Sequence, residues 1–265
     1  MSNLTTKENT WHHQVISALA EFNLGSHFFL LGNFSLVTIN QHQLIIHLVR
    51  LNNCFDPAEL MALQLNYSSR GIKLIHLWED VWINKSRQVL ARILSLLGLN
   101  KKIHGRKTKI QKLDKAIAEA FLNENHLQGY VSCRYKLGLF ENDDLVAVAT
   151  FSALRKMSHS LDYKSAELIR FAVKSGYSVT GGLSKLLKYF FNQYKANDIM
   201  TYADRDWSAG ESYLTLGFDQ TAVLAPHYFS INEDMQRNIV QADESLQKQI
   251  FNTGSLKYIL KNKHD

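Results

Sequence analysis

An α/β fold in two units is what the sequence predicts, and three observations predict it. Amphipathic helical stretches alternate with short apolar strands along most of the chain. The pattern changes near residue 100, where positive charge concentrates. A Gly-Gly pair then stands directly before an amphipathic helix in "SVTGGLSKLLKYF". The 265 residues are 46% hydrophobic with 13 Gly and 2 Pro, which suits a folded chain with a real core rather than a disordered or repetitive one. The expected division is residues 1–100 and residues 101–265.

In the first part, Trp11, Val15, Ile16, Leu19 and Phe22 have helical spacing. "FSLVTIN" and "QLIIHLVRL" read as strands joined by a turn at "NQHQ". "PAELMALQLNYSSRG" reads as a helix capped by Asp56, with Pro57 in its first position and Gly71 as its stop. "IKLIHLW" is a third strand and "SRQVLARILSLLGL" another helix. In the second part, "KIHGRKTKIQKL" alternates as one strand and "DKAIAEAFLNENH" is helical. A hairpin comes next, turning at Glu141-Asn142-Asp143-Asp144, where Asn and Asp supply the turn conformation. The strand "AELIRFAV", the Gly-Gly loop and its helix, the strand "IMTYAD", a short helix "AGESYLTLG" and strands around "HYFSI" complete the order.

The net charge is +6, and the excess lies between Lys85 and Lys115, where ten Lys and Arg face one acid, Asp114. Either a nucleic-acid partner or a solvated basic face accounts for such a cluster. No apolar run approaches the roughly 20 residues that span a bilayer, so no membrane partner is expected. "MSNLTTKENTWHHQ" lacks the order of a signal peptide, which makes a cytoplasmic location the expectation. Cys54 and Cys133 have no companion spacing for a metal or a disulfide framework, and no metal site is expected.

Collinear motifs carry a resemblance. "GIKLIHLWEDVWINKSRQVLARILSLLG", "NENHLQG", "AELIRFAV", "VTGGLSKLLKYF", "TYADRDWSAGESYLTLGF", "APHYFSI" and "IFNTGSLKYIL" are similar to the bodies of homing-endonuclease-like proteins of large phages and mobile elements. The resemblance implies a nuclease-like first domain of the PD-(D/E)XK, mismatch-repair-endonuclease type. It implies a second domain with the GNAT acyltransferase fold, similar also to the Mom type of phage DNA-modifying enzymes. On the strands "FSLVTINQHQLIIHLVRLNN", the family's two metal carboxylates would fall on or near Leu36 and His47, so the nuclease domain is expected to be degenerate. His42 and His47 remain as nitrogen donors, which are usually structural on a strand. Glu79 and Asp80 match the family or cap the helix after them.

For the second domain the resemblance implies acetyl-CoA or a related acyl-CoA as cofactor, its pyrophosphate held by Val179, Thr180, Gly181, Gly182, Ser184 and Lys185. The glycines also suit a plain turn, and an acid at Gly182 is expected to block phosphate while leaving the sheet intact. Asp204 is expected as general base or as a cap, Tyr213 as general acid or as an aromatic anchor, and Tyr202 shares a strand face with Asp204. Lys101, Lys102, Arg106, Lys107, Arg155 and Arg205 are expected to hold nucleic-acid phosphates. Three functions compete: acyl transfer from a CoA-type donor to a nucleic acid or an associated acceptor, a noncatalytic DNA-binding remnant, and a nuclease with a relocated site.

Overall fold

The computed structural model describes residues 10–39, 44–157, 162–241 and 250–262. The expected turn "NQHQ" and the candidate donor His42 lie outside the described residues. The chain opens with α1 (Thr10–Glu21), β1 (Ser26–Leu31), β2 (Phe34–Ile39), β3 (Leu44–Val49), α2 (Pro57–Ser68), β4 (Lys73–Trp78) and α3 (Glu79–Leu96). It continues with β5 (Lys101–His104), a 3-10 turn (Gly105–Lys107), β6 (Lys109–Lys112), α4 (Lys115–Asn125), β7 (Tyr135–Glu141), β8 (Asp144–Phe151), β9 (Arg155–Lys156) and β10 (Lys164–Val173). Then come β11 (Tyr177–Thr180), α5 (Gly182–Tyr194), β12 (Asp198–Asp204), α6 (Glu211–Thr215), β13 (Asp219–Leu224), β14 (Tyr228–Ile231), β15 (Arg237–Val240), β16 (Ile250–Phe251) and β17 (Ser255–Lys261). No described helix is long and apolar enough to cross a membrane.

Two compact units result, and they interleave along the sequence. The first comprises the chain through Leu90 with Asp204–Ala209 and Val223–Ser255; the second comprises Ala91–Ala203, Gly210–Ala222 and the chain from Leu256. Composition draws one boundary near residue 100, whereas the backbone passes between the units at five points.

In the first unit a four-stranded sheet runs β1-β2-β3-β4, with β3 and β4 parallel and the other pairs antiparallel. A parallel pair needs a crossover, which α2 supplies. Asp56 and Glu59 form a reciprocal capping box at its start, with Pro57 in the first turn. Leu63 and Tyr67 of α2 pack on Leu36, Ile45 and Leu74 of the sheet. Leu36 pairs directly with His47 across β2 and β3, and both are fully buried. The two positions onto which the resemblance would put carboxylates are thus paired, and they hold a leucine and a histidine. His47 in turn pairs with His76 on β4, their Nδ1 atoms 2.9 Å apart, and His76 Nε2 lies 3.2 Å from the Leu60 carbonyl. Burial above all holds His47 well below the usual histidine range and His76 down at about 3. Both rings are neutral in the fold.

Asp206 returns from the far end of the chain into this unit and is 3% exposed. Its Oδ1 accepts from the Thr253 amide (3.0 Å) and hydroxyl (2.7 Å), its Oδ2 from Trp78 Nε1 (3.1 Å), and its carbonyl from the His76 amide (2.8 Å). Beside it, Arg237 pairs with buried Asp80 through Nε (2.6 Å) and Nη2 (2.9 Å) and lies over the Trp78 ring at 5.3 Å. Burial and then the Asp204 carboxylate push Asp206 up to about 7, against the Thr253 donors and Arg237, which pull it down.

The larger sheet runs β13-β17-β12-β10-β8-β7-β6, with β9 on β10. On one face α5 buries Leu183, Leu186, Leu187, Phe190 and Phe191. On the other, Ala118, Phe121 and Leu122 of α4 pack near Val148 and Ala172. The β7–β8 hairpin turns through Asn142 and Asp143, both at positive φ, as expected. One expectation fails here: "KIHGRKTKIQKL" is two strands in two sheets. β5 pairs in parallel with β11, while β6 joins β7 in the large sheet, and the 3-10 turn between them breaks the run at Gly105.

The buried histidines set a pH dependence. An unfolded histidine binds a proton below about pH 6.5, whereas His76 in the fold binds none until about 3. Stability is therefore undiminished by these groups above 6.5 and falls as the pH drops through that window. Urea midpoints followed by tryptophan fluorescence should decline on acidification, and His47→Leu/His76→Leu should flatten the slope. Asp206→Ala leaves three buried donors without their acceptor and should lower stability by about 3 kcal/mol.

Candidate functional site

The large sheet opens at one place. β10 and β12 pair in parallel only at Ser165–Asp198, Ala166–Ile199 and Glu167–Met200, although β10 continues to Val173 and β12 to Asp204. The Thr201 hydroxyl still reaches the Leu168 carbonyl at 2.9 Å. Beyond it β10 follows β8 alone, after a register shift between Leu168 and Arg170. The facing edges of two parallel strands thus part toward their carboxyl ends, the end at which open α/β sheets place their ligands.

β10 leads through Gly176 into β11 and then to α5. Gly181 caps α5 in the left-handed region, φ 74°, with open space where a Cβ would stand. The helix's first internal bond runs from the Lys185 amide to the Gly181 carbonyl, so the amides of Gly182, Leu183 and Ser184 have no intrahelical acceptor. Ser184 is exposed on this first turn. Val179 and Thr180 are committed to the β5 ladder. Gly182 is buried for packing: a Cβ there would come 2.7 Å from Val179 Cγ1 and 3.0 Å from Leu139 Cδ1. The expectation that an acid at Gly182 would spare the sheet is thereby corrected. Lys185 does not reach toward open solvent; its ammonium donates to the carbonyls of Gly105 (3.0 Å) and Thr108.

Tyr213 on α6 is half-buried, its ring 5.3 Å from that of Phe218 and 5.5 Å from that of Tyr258. Gly210 starts α6 at φ 77° directly over the Tyr258 ring, where a Cβ would lie within 2.5 Å of ring atoms. Tyr202 is half-buried on β12. Asp204, at the end of that strand, belongs to the first unit, where its Oδ1 accepts from the Asp206 amide at 3.1 Å and its carbonyl from Trp207 and Ser208. These bonds form a turn and not the expected helix cap, since Gly210 starts the next helix without a side-chain cap. Arg205 also lies in the first unit, its Nη1 2.9 Å from Met61 Sδ. Lys101, Lys102, Arg106 and Lys107 come together, all exposed, on β5 and the 3-10 turn. Arg155 is exposed on β9, which pairs with the opposite end of β10.

Glu167 and Arg170 gain weight from the structure, since they flank the point of parting. Arg170 donates from Nε to Gly129 (3.2 Å) and from Nη1 to Ile169 (2.9 Å), tying the "HLQG" turn to β10. Burial lowers its pKa, and Glu167 and Tyr213 oppose that shift. His126 in the same turn accepts the Gln128 amide at Nδ1 (3.1 Å), and burial with Arg170 and Arg92 holds it down at about 3. It is neutral there. The sequence signal for Glu167 and Arg170 is their three-residue spacing at a strand end; nothing in it reveals the bulge between them. Among the described residues no group of three or more His, Cys, Asp or Glu is placed to hold a metal ion.

No protein-family model matches the chain, and no curated protein matches it. Among solved structures it is similar to the ribosomal-protein-S18-alanine N-acetyltransferase of Escherichia coli, at a TM-score of 0.39 and 15% identity over 58% of this chain and 93% of that one. A Bacillus subtilis acetyltransferase in complex with CoA gives a TM-score of 0.39 and 15% identity over 59% of this chain and 100% of that one. Arabidopsis thaliana Naa50 in complex with the bisubstrate analogue CoA-Ac-MVNAL gives 0.40 and 13%, over 59% and 99%. These values leave the family of the chain open.

The two glycine-loop positions should separate in a melt. Gly182→Glu forces a side chain into Val179 and Leu139 and should lower the melting temperature steeply. Ser184→Glu places a negative charge in the exposed first turn, where it suits the helix dipole, and should melt with the parent chain.

Proposed function

We propose that the second unit is an acyltransferase domain of GNAT type that takes its acyl group from acetyl-CoA or a related acyl-CoA. The observation that carries this reading is the parting of β10 and β12 after three residue pairs, with the first amides of α5, which have no intrahelical acceptor, in the same unit. The residues present fit the cofactor: Gly181 leaves open space beside those amides, and Ser184 adds a hydroxyl. The pyrophosphate would take the amides of Gly182 to Ser184. The bound cofactor supplies a thioester. Glu167 and Tyr202, half-buried residues on the same face of the parted strands, would line the acceptor side, where Glu167 would accept the proton of the acceptor's nucleophile. Tyr213 would supply a proton to the thiol sulfur.

For the acceptor we propose a nucleic acid or an associated molecule, supported by the exposed cations Lys101 and Lys102. For the first unit we propose a mobile-element nuclease fold that has lost its metal carboxylates, supported by Leu36 and His47 at paired positions. A noncatalytic DNA-binding remnant is the second reading, and the basic β5 segment favours it.

Calorimetry with acetyl-CoA decides between them. The full chain should bind acetyl-CoA; Ser184→Glu should abolish binding through repulsion of the pyrophosphate, and Glu167→Gln should leave it within about twofold. Absence of acetyl-CoA binding by the parent chain would end the acyltransferase reading. Duplex-DNA binding should weaken with salt, and Lys101→Ala/Lys102→Ala should reduce the log–log slope by about 0.9 for each phosphate no longer neutralised.

A further inference from the structure

We infer that the turn Gly105–Thr108 is the phosphomonoester-recognition element of the donor site, with Arg106 and Lys107 as the residues that distinguish CoA from its analogue lacking the 3′-phosphate. The inference rests on the donor reading above and assigns these two cations to the donor rather than to the acceptor.

The turn is fixed against the glycine loop. Gly105 has no room for a side chain, because a Cβ would stand 3.0 Å from Gly181 C, Gly182 N and the Thr180 carbonyl. Backbone therefore meets backbone at this point. Lys185 reaches from the first turn of α5 to the Gly105 and Thr108 carbonyls, and the Thr108 hydroxyl closes the turn onto the Gly105 carbonyl at 2.6 Å. The parallel β5–β11 ladder, Lys101–Tyr177 through His104–Thr180, sets the same register from the other side.

Arg106 and Lys107 come directly after this close approach and are exposed. Among the described residues neither has a carboxylate within ion-pair distance, and Lys101, Lys102, Lys109 and Lys112 add only like charge. Two adjacent fixed cations match a phosphomonoester, which carries close to two negative charges at neutral pH. A phosphodiester of a nucleic acid carries one. CoA bears such a monoester on its ribose in addition to the pyrophosphate, so a turn held beside the pyrophosphate loop has a chemically matched target. Lys185 is a positioning residue in this scheme. Its ammonium is spent on carbonyls, and it acts through the turn it holds.

The test compares acetyl-CoA with acetyl-dephospho-CoA by calorimetry on the full chain. The parent should bind acetyl-CoA at least about tenfold more tightly. Arg106→Ala/Lys107→Ala, both exposed and harmless to packing, should bind the two ligands alike, with the affinity for the dephospho form unchanged. Lys185→Met removes no charge from the turn and should also narrow the ratio. Equal affinities in the parent, or discrimination that survives the double variant, would overturn the inference and leave the donor reading standing. If neither compound binds the parent, the donor reading fails, and this inference with it.

Discussion

The first unit depends on a carboxylate that arrives late in the sequence. Asp206 accepts from Trp78 on β4 and from Thr253, and its carbonyl takes the His76 amide. It is the acceptor that joins three segments with no local connection. Such a group is costly to bury alone. Three donors and the nearby Arg237 offset that cost only in part, which is why its carboxyl is held up near neutrality. The Asp80–Arg237 pair has the same logic, an ion pair inside the fold that removal of one member would leave uncompensated.

The second unit is organised by an absence of pairing. Parallel strands normally continue side by side, and their backbone groups are satisfied by doing so. Here β10 turns to β8 at a bulge, and β12 is left with β17 on its other side. Arg170 marks the bulge and ties it to the turn after α4. Strand, bulge and turn are therefore one arrangement, and the Arg170 guanidinium at its centre is the group on which Glu167 and Tyr213 act.

Much of this is legible in the sequence where a local cause acts alone. Asp56, Pro57 and Glu59 start α2 by capping chemistry, Asn142 and Asp143 turn the hairpin, and α5 shows its apolar stripe. The rest is hidden for physical reasons. "SHFFLL" forms β1 as an edge strand with both faces largely exposed, so it has no inside–outside alternation to read. "YSVT" forms β11 because β5 pairs with it, a partner seventy-odd residues away in the sequence. The run around Gly105 is mostly charged and holds too few apolar residues to show that the backbone changes sheets there. At the site, Asp204 stands out as a strand-end acid, and the buried acid is its neighbour two residues on. Lys185 has the position of a phosphate ligand, yet its partners are two carbonyls of a turn that only the fold brings near.

The backbone passes between the two units after Leu90, Ala203, Ala209, Ala222 and Ser255. A chain woven in this way cannot be divided by one cut. Any gene fragment long enough to encode the whole first unit must also encode nearly all of the second. A single junction can keep one unit whole, before Ala91 or after Ser255, only by carrying part of the other with it, so exchange of one unit alone requires several coordinated junctions.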